Sequence, residues 1–205
     1  MNLLTRHLTG ITDFQGRENR QPFWLWILIV YGAQMVVSMV AMIPIMSNMF
    51  ESIVPLAQND PHALDKHPEI MARIIGSMMQ QMMVFILIAA VLFFILVAAA
   101  AVRRLHDGGR SGWWIAPYFA SQLVTPFVMA SVFPRYIAVM AAVKPGSPPD
   151  LTAPAFQQAS QSMALFSLVN LVGFIFMVVL IVFLVLPGTV GPNRFGDDPL
   201  NPPFR

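Results

Sequence analysis

The chain contains no cysteine in its 205 residues, so it forms no disulfide, no thiolate metal site and no cysteine nucleophile. Charge is also scarce. Asp, Glu, Lys and Arg make up 11% of the residues, against the roughly 25% of a soluble domain. The formal net charge is only +2, and no basic stretch interleaves with aromatics as a nucleic-acid groove requires, so nucleic acid is excluded as a partner. What remains is apolar: 57% of residues are hydrophobic, too much surface for a chain of this size to bury in water. The solvent of this protein is lipid.

A hydrocarbon core of about 30 Å takes roughly 20 apolar residues in helix. Four stretches qualify: Phe23–Met46, Met82–Val102, Trp113–Phe133 and Met163–Leu186. None contains Asp, Glu, Lys, Arg or His, and every charged residue lies between or outside them. The first is too long for the apolar region of a cleavable signal and three more follow it, so it is read as a span. The fold class is therefore all-α: a polytopic membrane protein forming a single four-transmembrane-helix bundle. Its other parts are outer connections at 47–81 and 134–162, a turn at 103–112 and tails at 1–22 and 187–205.

Arginine and lysine in short flanks orient such a chain. The tails and the 103–112 turn hold Arg6, Arg17, Arg20, Arg103, Arg104, Arg110, Arg194 and Arg205, whereas the other two connections hold Lys66, Arg73, Arg135 and Lys144. Eight against four places both termini and the turn in the cytoplasm. The outer connections are too long to be structureless. After Pro68, Ile70, Met71, Ile74, Ile75, Met78, Met79, Met82 and Met83 recur at helical spacing, so the second helix is expected to begin near Pro68 and project beyond the outer face. Ala153–Gln161, with Pro154 at a first helical position, is expected to start the fourth helix early. Lys144–Pro149 reads as a turn. Leu4, Leu8 and Ile11 fit either a short surface helix or a loose tail.

Three motifs stand out. The first is Phe14-x-Gly16-Arg17-x-x-Arg20-x-Pro22-Phe23-Trp24, where Pro22 suits a first helical turn and Arg17 and Arg20 would share a helical face. The second is Arg103-Arg104-Leu105-His106-Asp107-Gly108-Gly109-Arg110-Ser111-Gly112-Trp113. Its arginines suit a helix C-terminus, Gly108 and Gly109 a left-handed cap, and Ser111 an N-cap for the next helix. The third is Gly188-x-x-Gly191-Pro192-Asn193-Arg194-Phe195-Gly196-Asp197-Asp198-Pro199, dense enough in turn formers to specify a fixed turn.

Together these motifs resemble the YhaH/YhaI-like bacterial inner-membrane proteins, the family called domain of unknown function 805. The resemblance runs from Phe14 to Pro199 and implies a small multi-pass protein of the bacterial cell inner membrane, without an established activity. The long outer connections depart from the shorter members.

All three motifs fall on one membrane face. The expected site is an ion-paired cytoplasmic cap that locks the helix ends or binds lipid phosphate, formed by Arg17, Arg20, Arg103, Arg104, His106, Asp107, Arg110, Asn193, Arg194 and Asp197, with Asp198 beside them. His106 and Asp107 beside arginines also suit a general base and phosphate clamp for a lipid-headgroup enzyme, but no nucleophile or second carboxylate is placed by spacing. Asp60, His62, Asp65 and His67 offer hard metal ligands, and Met78, Met79, Met82 and Met83 soft ones for copper(I). A solvated loop and an apolar packing stripe explain them as well, and neither a metal nor a cofactor is expected. The spans hold only uncharged polar groups, Gln34, Ser38, Tyr118, Gln122, Thr125 and Asn170, which suit interhelical hydrogen bonds better than a carrier path. The reading is a non-enzymatic scaffold or accessory subunit whose partners are membrane lipids and other membrane proteins or further copies of itself. An oligomeric pore or transporter component is the alternative.

Overall fold

The computed structural model describes residues 2–60, 68–142 and 153–200. Among them the fold is all-α, with one isolated bridge, Asn193 to Gly196, as its only β-type pairing. A short helix α1 (Leu3–Thr9) precedes four long ones: α2 (Arg20–Asn59), α3 (Pro68–Asp107), α4 (Ala116–Ala142) and α5 (Pro154–Val185). A 3-10 turn, Gly112–Ile115, leads into α4. All four long helices carry windows apolar enough to cross a membrane. This is a multi-pass membrane protein.

Each charge-free stretch falls on one of the four long helices, and the helices run further. α2 and α3 have 40 residues each, about 60 Å at 1.5 Å per residue, twice the length a hydrocarbon core requires. α3 starts at Pro68 and α5 at Pro154, as the sequence predicts. Within the outer connection expected at 47–81, residues 47–59 continue α2 past Pro44 and Pro55, and α4 continues through Pro126 and Pro134 to Ala142. Each proline removes one backbone hydrogen bond without ending a helix whose other bonds persist, a tolerance common in membrane helices. The Lys144–Pro149 turn and His62, Asp65 and His67 lie outside the described residues.

The chain divides into two compact units. The first comprises Met1–Val36, Ala89–Leu123 and Leu171–Arg205. Its centre is the end of α3, where residues 97–105 are buried without interruption. Burial on every helical face requires neighbours all round and backbones that approach closely. The run Ala98–Ala101, each residue about 2% exposed, permits that approach. Around it pack Phe23, Trp26 and Val30 of α2, Ile115 and Phe119 beyond the turn, and Leu180 and Leu184 of α5. The Trp26 indole donates to the Leu96 carbonyl at 2.9 Å, fixing α2 against α3.

The second unit comprises Val37–Ile88 and Val124–Asn170. It buries Ile45, Ile74, Val132, Val139 and Ala159, so part of the Met/Ile ridge of α3 is covered within the chain. Met79 and Met83 of that ridge line a cavity with Met129 of α4. Arg135 donates to the buried Ser162 hydroxyl at 3.0 Å, tying α4 to α5.

Candidate functional site: an ion-paired cap

The first unit gathers the three motifs around the end of α3. Arg103 and Arg104 close that helix, and their side chains diverge to different neighbours. Arg104 is fully buried. Its Nε donates to the Leu184 carbonyl at 2.9 Å and its Nη2 to the Leu186 carbonyl. These carbonyls lie at the C-terminus of α5, where helical partners run out and the dipole favours a cation. Its Nη1 meets the Asp107 carboxylate and the Glu18 carbonyl. One guanidinium thus caps one helix and anchors another.

Arg103 turns toward the N-terminus. Its Nε donates to Glu18 Oε2 at 2.9 Å, and its Nη1 to the Gly10 carbonyl at 3.0 Å and the Asp13 carbonyl at 2.5 Å, beyond the end of α1. Glu18, fully buried, also receives His7 Nε2 at 2.5 Å. His7 Nδ1 faces the Leu3 carbonyl at 2.9 Å, so both ring nitrogens meet oxygen acceptors. The imidazole stacks on Trp26, with centroids 4.8 Å apart and planes 11° apart. These contacts make residues 3–9 an ordered helix packed on the cap. Sequence reading did not include His7 or Glu18 in the site; the signal available was an acid lying directly between the arginines of the first motif.

Arg17 completes the network from the other side. The expectation that it shares a helical face with Arg20 is not met, because α2 begins only at Arg20. The chain before it turns at Gly16, whose φ is +80°, a conformation glycine adopts without strain. Arg17 is consequently buried and Arg20 exposed. Arg17 Nε donates to Asp107 Oδ1 at 3.0 Å, its Nη1 to the Gly191 carbonyl at 2.6 Å and its Nη2 to the Thr189 carbonyl at 2.5 Å. Asp107 therefore sits between two guanidiniums, and its backbone carbonyl accepts from the Thr189 amide at 2.8 Å. Gly188 passes so close that an added Cβ would fall on the Asp107 carboxylate.

The third motif is the fixed turn its composition predicts. Asn193 donates to the His106 carbonyl at 3.0 Å and to the Thr189 hydroxyl at 2.8 Å. Asp198 is buried and accepts the Gly191 and Leu200 amides, each at 3.0 Å, while Asp197 is exposed. The structural role expected of Asp197 thus belongs to its neighbour. His106 stacks on Phe195 at 3.8 Å and lies against the Gly16 carbonyl. In the second motif Gly109, not Gly108, takes the left-handed conformation, and the Ser111 side chain accepts the Trp113 amide as the expected N-cap.

Of the ten expected residues, Arg17, Arg103, Arg104 and Asp107 form the buried core of the network. His106 and Asn193 pack against it. Arg20, Arg110 and Arg194 stand at its rim: Arg110 lies 4.5 Å from the centre of the Phe183 ring and Arg194 4.6 Å from that of Phe195. No buried side-chain polar atom among the described residues lacks a hydrogen bond. Among those residues, no group of three His, Asp or Glu is placed to hold a metal ion.

Comparison with known proteins adds one finding. Residues 11–152 match the family described as protein of unknown function (DUF805), a stretch that includes the first two motifs and stops short of α5 and the 188–199 turn. No curated protein and no solved structure matches the chain. With more than half of its length inside that match, the chain belongs to the DUF805 family.

Proposed function

We propose that this protein is a non-enzymatic scaffold or accessory subunit of the inner membrane, with both termini and the 103–112 turn in the cytoplasm and a rim of arginines that engages anionic lipid. The supporting observation is how its arginines divide. Arg17, Arg103 and Arg104 are buried, and their guanidiniums are taken up by Asp107, Glu18 and backbone carbonyls, so they hold the fold rather than a ligand. Arg110 and Arg194 stack on aromatic rings, each giving one N–H to a backbone carbonyl, Gly108 at 3.3 Å and Gly109 at 3.4 Å. A guanidinium held with its Cζ over a ring still has further donors for phosphate oxygens. Trp113, 82% exposed, and Trp114, 44% exposed, stand beside them, as interfacial tryptophans do at headgroup level.

The same geometry argues for a structural Asp107. Its carboxylate already binds two arginines, so it is poorly placed to act as a base, and His106 is held between Phe195 and the Gly16 carbonyl.

Native mass spectrometry of lipids retained after mild solubilisation tests the lipid reading. Phosphatidylglycerol is expected to be enriched over phosphatidylcholine. Replacing Arg20, Arg110 and Arg194 with Gln is expected to cut that enrichment by about fivefold per arginine. An unchanged ratio refutes lipid engagement by the rim. Reporter fusions at the 103–112 turn test the orientation, and turnover of labelled lipid by the reconstituted protein would overturn the non-enzymatic reading. Discrete membrane proteins recovered with it are the expected outcome for a scaffold.

A further inference from the structure

The ion-paired network leaves several motif residues without a part in it, and these meet at one place. Phe14, His106, Ser111 and Trp113 border a cavity of about 660 Å³ in the first unit. From this partly polar end the walls become apolar. Ala90, Val91 and Phe94 of α3 form one side, and Phe119, Ala120 and Leu123 of α4 the other. The shape of the mouth is set by a close crossing. Gly112 lies against Val102 so tightly that an added Cβ would come within 2.7 Å of its side chain, so the turn seats directly on α3.

We infer that this groove is a binding site for one membrane phospholipid, with an acyl chain between α3 and α4 and the headgroup at His106, Ser111 and Trp113. Three observations on the cavity identify the occupant. Its apolar walls lie within residues 90–102 and 115–123, inside helices apolar enough to cross a membrane, where acyl chains are the abundant apolar solute. The distance from Ala90 to Val102 along α3 is about 18 Å at 1.5 Å per residue, the length of a long stretch of extended acyl chain. Apart from Gln122 on the α4 wall, the polar groups gather at a single end, as an amphiphile demands.

The His106 ring supplies a specific headgroup contact. Its Nδ1 faces the Gly16 carbonyl at 3.3 Å and so carries the hydrogen, which leaves Nε2 as an acceptor for a headgroup hydroxyl. Arg110 directly precedes Ser111 in the same turn, which favours a negatively charged headgroup over a neutral one. The inference rests on the proposed reading that residues 106–113 lie at headgroup level.

The test uses the full chain in phosphatidylcholine vesicles with a trace of phosphatidylglycerol bearing a photoactivatable diazirine on one acyl chain, followed by peptide mapping. Label is expected to concentrate on peptides containing residues 90–94 and 119–123. Ala120→Trp fills the groove, and losing room for about two buried methylenes lowers labelling there roughly tenfold. Ala120→Leu, a smaller change should the indole disturb folding, is expected to give a partial loss at an unchanged melting temperature. Labelling spread equally over exposed α2 residues such as Leu28 and Tyr31 would overturn the site, as would groove labelling that neither variant alters. The Gln variants of Arg20 and Arg194, which stand outside the groove's turn, report on the rim separately, so either reading can fail while the other stands.

Discussion

Replacing Asp107 with alanine is the sharpest perturbation of the cap. The carboxylate is only 5% exposed and lies between Arg17, with Nη2 at 2.9 Å, and the fully buried Arg104. Alanine removes the charge that both guanidiniums face, and no other carboxylate is bonded to either of them among the described residues. Breaking a buried ion pair from one side costs about 3–5 kcal/mol, because a desolvated charge is left behind. For a chain of this size each kcal/mol moves the melting temperature by about 2–4 °C, so the expected drop is roughly 6–20 °C. The assay is thermal unfolding of the detergent-solubilised protein followed by tryptophan fluorescence. Asp107→Asn keeps the shape and removes only the charge, and is expected to lose nearly as much. Asp197→Ala, at an exposed neighbouring acid, is the control and is expected to change stability by no more than about 0.5 kcal/mol. Melting of Asp107→Ala within about 2 °C of the parent would refute the reasoning.

Other positions separate the parts of the network. Glu18→Gln leaves Arg103 without its carboxylate, so a loss of about 3 kcal/mol is expected, with faster hydrogen exchange confined first to residues 3–9, measured by mass spectrometry. Gly188→Ala places a methyl group against the Asp107 carboxylate and is expected to lower stability by about 1–3 kcal/mol in the same thermal assay. Arg104→Lys keeps the charge but not the fork that reaches Leu184, Leu186, Glu18 and Asp107 together, so a clear drop in melting temperature is expected where a purely coulombic role would give none.

The sequence carried most of the fold because charge-free length is a physical requirement of a lipid span, and no tertiary knowledge is needed to see it. Helix starts at Pro68 and Pro154 and the cap at Ser111 were equally visible, being local chemistry. The far ends of α2 and α4 were not. Pro55 and Pro134 look like stops, and whether a helix survives a proline depends on the contacts around it. In the site, the arginines and Asp107 were legible as a clustered charge excess. Their division into buried and rim groups was not, since it turns on where α2 begins and on the bend at Gly16. The roles of His7 and Glu18 depend on α1 folding back against Trp26 and Arg103, contacts separated by up to 85 residues along the chain.

The reach of Arg104 and Arg17 toward residues 184–191 has a consequence for biosynthesis. Ribosomes deliver α2 and α3 to the membrane long before the carbonyls of Leu184, Leu186, Thr189 and Gly191 exist. Until residues 184–191 emerge, Arg104 lacks two of its acceptors and Arg17 two of its own, so the half-made protein carries guanidiniums that are not fully satisfied. Emergence of residues 184–191 and closure of the helix ends are thus one event, and a chain cut short after α5 is expected to be degraded rather than to accumulate.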